Sequence, residues 1–264
     1  MIGIFDSGLG GLTVTRAIRD RLPTADLIYL ADSAYCPYGP RPAAEVRSRA
    51  LACSRWLVDQ GARIVVVACN TATAAAIEVL RSALPVAVVG MEPGVKPAVA
   101  ATRRGKVAVM ATSGTLASDR FRALVNAYAA DVEVYTLACP DLVTQVEAGA
   151  IADENTRSLI ASHLAAAPDA DVIVLGCTHF PLLTPLISAC AGPHVTIIDT
   201  GPAVAAQTAR VAERIGLPPG TGTLRCYTTG DPDQIAPALT HVWGEALPLT
   251  KVDIPSPDVT LSQD

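Results

Sequence analysis

Ten short, almost unbroken apolar runs divide this chain, and amphipathic stretches separate many of them. The runs lie at Ile2–Phe5, Asp26–Ala31, Ile64–Ala68, Val86–Gly90, Lys106–Ala111, Val132–Leu137, Val172–Leu175, Val195–Ile198, Thr223–Tyr227 and Lys251–Ile254. Most are rich in Val and Ile and lack the polar alternation of a half-exposed strand, so they read as strands buried on both faces of a parallel sheet. Helical periodicity marks Leu12–Arg21, Ala43–Gln60, Thr73–Leu84 and Ser118–Tyr128. The predicted class is α/β with parallel sheets. Ten strands are many for one open sheet, and two smaller sheets are expected. The Pro- and Gly-containing stretch "MEPGVKPAVAATRRGK" (91–106) is the expected outward crossing, with a return near "DTGP" (199–202). That division gives a discontinuous first domain, 1–95 plus 203–264, and an inserted second domain, 96–202.

Two of the runs end alike. "VVVACNTAT" (65–73) and "VIVLGCTHF" (172–180) each close a strand on a cysteine followed by small polar residues. Ligands of parallel α/β sheets bind at the carboxyl ends of strands, where helix N-termini favour a thiolate. Any single cysteine reads first as core packing, and Cys53, Cys139, Cys190, Cys226 and the loop residue Cys36 take that reading. The matched context sets Cys69 and Cys177 apart. One such thiol suits a covalent nucleophile, and two close together suit a redox pair. Two facing each other across a ligand suit proton transfer on opposite faces of one carbon, which inverts a stereocentre. Two similar halves with a cleft between them fit that last chemistry.

Composition narrows the setting. The net charge is −5 with no basic cluster, which argues against direct nucleic-acid binding. No run approaches a membrane span, and Met1 leads straight into the first strand, so neither a membrane helix nor a leader is expected. The seven cysteines are odd in number and contain no C-x-x-C pair. Reduced thiols and a cytoplasmic location are therefore expected. His179, two residues after Cys177, lacks zinc-like spacing to other histidines. No metal is expected, and His179 is read as helping its neighbour exchange a proton. Only three lysines stand against seventeen arginines, and none occupies an evident active-site turn, which disfavours pyridoxal phosphate.

"FDSGLGG" (5–11) follows the first strand. It is not the dinucleotide fingerprint, because Thr13 falls where a third glycine belongs. Its glycines suit close backbone approach to an anionic ligand. Asp6 suits a helix cap, the tuning of a thiol or the holding of a substrate ammonium. "ADSAYCPYGPRP" (31–42) suits a rigid loop in which the backbone N–H groups of Tyr38 and Gly39 meet a carboxylate.

Together "FDSGLGGLTV", "ADSAYCPYGPR", "ACNTAT", "EPGVKPAV", "ATSGTLAS", "CPDLVTQVEAG" and "GCTHFPLL" resemble the glutamate racemase family, within the cofactor-independent aspartate/glutamate racemase superfamily. The resemblance runs from Ile2 to about Thr208. It implies interconversion of L- and D-glutamate without a cofactor, for peptidoglycan synthesis. By the same resemblance Cys69 acts on the D-enantiomer and Cys177 on the L-enantiomer, assisted by Asp6 and His179, with Glu147 in a supporting place. Substrate contacts carry over to Asp6, Ser7, Tyr38, Gly39, Asn70, Thr71 and Thr178, and further to Thr112 and Thr115. A homodimer is expected. Some glutamate racemases also bind DNA gyrase, and this acidic sequence decides neither for nor against that partner. Two other readings fit the residues: a racemase or decarboxylase of this fold acting on another acid, and a non-catalytic ligand-binding module.

Overall fold

Alternate residues of each apolar run face opposite ways, and both faces are covered. Ile2 and Ile4, Leu27 and Tyr29, and Ile64 and Val66 share one core layer, while Phe5, Ile28, Leu30, Val65 and Val67 enter the layer on the other side. Burial on both faces excludes the polar alternation that a solvated sheet shows. In the computed structural model, residues 1–255 are described.

The chain runs β1 (Ile2–Asp6), α1 (Leu12–Arg21), β2 (Leu27–Ala31), α2 (Ala43–Asp59), β3 (Ile64–Val67), α3 (Asn70–Ala83) and β4 (Ala87–Gly90). It continues through α4 (Val95–Ala101), β5 (Lys106–Ala111), α5 (Ser113–Leu116), α6 (Asp119–Tyr128), β6 (Glu133–Ala138), α7 (Pro140–Glu147) and α8 (Glu154–Leu164). The remainder is β7 (Val172–Gly176), α9 (Thr184–Ala191), β8 (Thr196–Asp199), α10 (Gly201–Arg214), β9 (Leu224–Thr228), α11 (Pro232–Trp243) and β10 (Leu249–Lys251). The strands form two sheets, ordered β10-β9-β2-β1-β3-β4 and β6-β5-β7-β8. Every pairing is parallel, with Ile4 opposite Tyr29 and Val66 in the first sheet and Val109 opposite Val174 in the second. Two parallel-sheet α/β units are therefore present, each with core on both faces.

Two local expectations are corrected. The last strand is Leu249–Lys251 rather than Lys251–Ile254, because it pairs in register with Cys226–Thr228 and then leaves the sheet. From there Ile254 packs into the core layer beside α2. Helix α3 begins at Asn70, directly after Cys69, instead of at Thr73.

A polar anchor is buried at the carboxyl edge of the first sheet. Asp32 follows β2 and accepts from Arg49 Nε at 3.0 Å and Nη2 at 2.7 Å, from Tyr38 Oη at 2.5 Å and from Thr229 Oγ1 at 2.8 Å. Arg49 also donates from Nη1 to the Ile254 carbonyl at 2.7 Å and lies 3.9 Å over the Tyr35 ring. One carboxylate thus ties the start of the 33–41 loop to Tyr38 within it and to α2. Removing one member of a buried pair leaves an uncompensated charge, at a cost of roughly 3–5 kcal/mol. Asp32→Ala is expected to lose about that much in urea denaturation, and a loss below about 1 kcal/mol would show that the pair does not anchor the loop.

Candidate active site

Cys69 and Cys177 are both buried, and each lies just beyond the carboxyl end of a strand, β3 in the first sheet and β7 in the second. The two do not share one local geometry, as their matching sequence contexts suggested. Cys69 is the N-cap of α3: its sulfur accepts the Ala72 N–H at 3.4 Å and lies 3.8 Å from Ser7 Oγ. Cys177 precedes a 3-10 turn, Phe180–Leu183, which carries Pro181 and whose N-cap is His179. Its sulfur meets His179 Nδ1 at 3.5 Å instead. One thiol is served by a helix start, the other by an imidazole.

The β1–α1 turn and the turn after β7 interlock. Asp6 accepts from Gly11 N–H at 2.6 Å and from Thr178 Oγ1 at 3.4 Å through the same oxygen, Oδ2. Thr13 Oγ1 donates to the Thr178 carbonyl at 3.2 Å. Glu147, at the end of α7, accepts from Leu9 N–H at 2.7 Å, and the same oxygen lies 2.5 Å from His179 Nε2. The glycines of "FDSGLGG" make this possible. A Cβ at Gly10 would lie 2.5 Å from His179 Nδ1, and one at Gly8 would lie 2.0 Å from Glu147 Oε1. Sequence reasoning assigned these glycines to an anionic ligand, yet the close approach they permit is to side chains of the second sheet's loops.

The other candidates fall into three groups. Thr71, Thr112 and Thr115 form a hydroxyl cluster, with Thr71 Oγ1 2.7 Å from Thr112 Oγ1 and 3.3 Å from Thr115 Oγ1. Gly39 packs against Thr112, where a Cβ would come within 2.9 Å of the Thr112 Cβ. Asn70 is buried beside Cys69, and among the described residues neither polar atom of its amide has a hydrogen-bond partner; Asp6 Oδ1 is in the same position. Tyr38 is the exception: its hydroxyl is engaged by Asp32 and its ring packs 6.1 Å from Phe5, so only its backbone remains for a ligand. Cys36, read from sequence as packing, meets His179 and Glu147, and these three donor atoms lie within 4.8 Å of one another. No motif spacing signals this, because the three residues come from separate segments, the loop after β2, the end of α7 and the turn after β7. A cavity of about 410 Å³ beside α2, α3 and α5 reaches Thr71 and Gly114 but neither thiol.

Electrostatics follow the burial. Desolvation pushes the Asp6 carboxyl up to about 6, against the opposing pull of His179 and the Gly11 N–H. Burial also drives the Cys69 thiol well above its ordinary value, with the Asp6 charge adding to the effect and the Ala72 N–H opposing it. For His179, burial favours the neutral ring, but Cys177, Cys36 and Glu147 together outweigh it and hold the imidazole well above its usual range.

Buried thiols thus stand at strand ends of two parallel α/β sheets, Cys69 beside Ser7 and Cys177 against His179. Residues 3–208 match the Asp/Glu/Hydantoin racemase family. The chain belongs to that family and is an amino-acid racemase, an isomerase. It is 48% identical over 242 residues to the glutamate racemase of Roseiflexus sp. (strain RS-1), covering 89% of each chain. It is similar in structure to Escherichia coli glutamate racemase in complex with L-glutamate and activator UDP-MurNAc-Ala (TM-score 0.87, 28% identity, 96% of this chain and 98% of that one). It is also similar to the Francisella tularensis glutamate racemase in complex with D-glutamate (TM-score 0.84, 26% identity, 97% and 98%). Among the described residues no helix is long and apolar enough to cross a membrane.

The Asp6 shift has a definite sign. The folded state holds this proton more tightly than the unfolded chain does, so folding loses stability as pH rises from about 4 through about 6. Asp6→Asn cannot ionise and escapes that loss. Relative to the parent it is expected to gain up to about 3 kcal/mol above pH 7 and nothing below pH 4. Urea denaturation of both proteins at pH 4, 5.5 and 7.5 measures the difference, and a pH-independent difference would mean that Asp6 ionises as an ordinary carboxylate.

Proposed function

We propose that this protein interconverts L- and D-glutamate by proton transfer at Cα between Cys69 and Cys177, supplying D-glutamate for peptidoglycan. The observation that carries the reading is the pair of buried thiols, one from each sheet, flanked by Asp6 on one side and His179 on the other. The first sheet with its helices, 1–95 plus 203 onward, forms one wall of the site, and the insertion 96–202 forms the other; of the expected first domain, 203–264, residues 256–264 lie outside the described residues. Relatives of this fold hold D-glutamate in one case and L-glutamate in another, which supports the choice of substrate.

In the D-to-L direction the Cys69 thiolate takes the Cα proton. The C–H bonding pair stays on carbon and spreads into the carboxylate, and an S–H bond forms on Cys69. On the opposite face the Cys177 S–H bond breaks and its proton goes to Cα, leaving Cys177 as thiolate. The reverse direction exchanges the roles. Burial disfavours the Cys69 thiolate in the free site, so its formation calls for a countercharge. The substrate α-ammonium supplies one. Asp6 takes the thiol proton and thereby loses the charge that repels the thiolate. His179 exchanges a proton with Cys177 through Nδ1 at 3.5 Å. The partnerless amide of Asn70 and the free oxygen of Asp6 are buried polar atoms that a zwitterionic ligand satisfies. The hydroxyls of Thr71, Thr112 and Thr115 and the backbone N–H groups near Gly39 face the substrate carboxylates, and Ser7 and Thr178 flank the thiols. Enclosure away from water strengthens each of these contacts.

Incubation with L-glutamate in deuterated water, with no cofactor added, tests this reading. Early product should carry deuterium at Cα while recovered substrate keeps its hydrogen, because the proton delivered comes from the opposing thiol. Cys69→Ala and Cys177→Ala should each slow racemisation by at least roughly 10²–10⁴-fold. Parental turnover in either variant, or early deuterium in recovered substrate, removes the two-base assignment.

A further inference from the structure

Cys36, Glu147 and His179 make a constellation that the racemase chemistry does not use as a whole. We propose that Cys36 Sγ, a Glu147 carboxylate oxygen and His179 Nε2 form a binding site for a thiophilic divalent cation, Zn²⁺ above all, and that its occupation inhibits the enzyme. The three donor atoms lie within 4.8 Å of one another. Thiolate, imidazole and carboxylate are the donor set that zinc selects, and three protein ligands leave a fourth position for water.

Around tetrahedral zinc, donors stand roughly 3.3–3.7 Å apart, given bonds of about 2.0–2.3 Å. Nε2 and Oε1 now lie 2.5 Å apart, so they open by about 1 Å when a cation enters between them. Glu147 can make that move, because its side chain is 21% exposed while His179 is held at 2%. A way in also exists. Cys36 and Glu147 line a cavity of about 390 Å³ together with Pro37, Val143, Gly230 and Ile235, whereas His179 and the Cys177 thiol lie outside its lining. The cation therefore reaches Nε2 from the side of the ring opposite Cys177.

Binding releases the Cys36 thiol proton and any proton on Nε2 to solvent, and it forms Zn–S, Zn–O and Zn–N bonds. Once Nε2 is metallated, Nδ1 carries the remaining ring proton. His179 can then donate a hydrogen bond to Cys177 but cannot accept its proton. The inhibitory consequence rests on the racemase reading above; metal uptake does not.

Co²⁺ added alone to the purified protein reads the site directly. One equivalent should bind with a thiolate-to-metal charge-transfer band, displaced by Zn²⁺. Zn²⁺ should lower L-glutamate racemisation at least tenfold, reversibly with EDTA. In Cys36→Ser, and in Cys36→Ala as a second variant, each compared with its own metal-free rate, the band should vanish. The Zn²⁺ concentration for half-inhibition should then rise at least tenfold. Absence of uptake by the parent overturns the proposal. So does an unchanged band or unchanged inhibition in a folded Cys36 variant, which would place the metal on Cys69 or Cys177. A Cys36-dependent band in a protein that fails to racemise glutamate keeps the metal site and sinks the function reading instead.

Discussion

The site depends on a contact between bare backbone and charged side chains. At Gly8 and Gly10 the first sheet's leading turn presents no side chain, and Glu147 and His179 press directly onto it. Any Cβ there would displace the carboxylate or the imidazole, and with them the distance between the walls that carry the two thiols. The hydrogen bond from Leu9 N–H to Glu147 and the one from Thr178 to Asp6 run in opposite senses across the same seam. The β1–α1 turn therefore both donates to and accepts from the second sheet's connections, at the end of α7 and after β7, which fixes the seam in register as well as in depth.

That seam concentrates ionisable groups where water is scarce. Asp6, His179 and Cys69 are each displaced from ordinary behaviour, and the causes differ: desolvation leads for the carboxylate and the thiol, while neighbouring anions overcome desolvation for the imidazole. A buried acid that prefers its proton beside a thiol that resists ionising is poor for stability and well suited to moving protons. Perturbed groups gathered in one place mark function with a physical reason attached. The Asp32–Arg49 pair is the contrast: it too is buried, but it is bonded to Tyr38, Thr229 and the Ile254 carbonyl, and it points to structure.

Much of this was legible in the chain itself. Uninterrupted Val/Ile runs announce strands covered on both faces, and nine of the ten expected strands fall within a residue or two of those observed. The tenth slipped because Val252 and Ile254 are apolar for packing against α2 rather than for pairing. The motif residues Asp6, Thr178, His179 and Glu147 meet across one seam, with Cys177 against His179 and Cys69 beside Ser7. Three features were not legible. The helix start at Asn70 was hidden because Cys is not a usual cap. The engagement of the Tyr38 hydroxyl by Asp32 depends on how the 33–41 loop folds back on its own start, and the meeting of Cys36 with Glu147 and His179 on segments that approach only after both sheets are built.

The strand order carries a consequence for how the chain is made. β2 lies inside the first sheet, yet its outer neighbour β9 is synthesised about two hundred residues later, after the entire second sheet. Until then the nascent chain offers an unpaired edge formed by Leu27–Ala31, five residues that are all buried at the end. Such an edge is a template for pairing with other chains. During synthesis the emerging protein is thus most vulnerable to association along β2, and the arrival of β9 is the event that seals that edge.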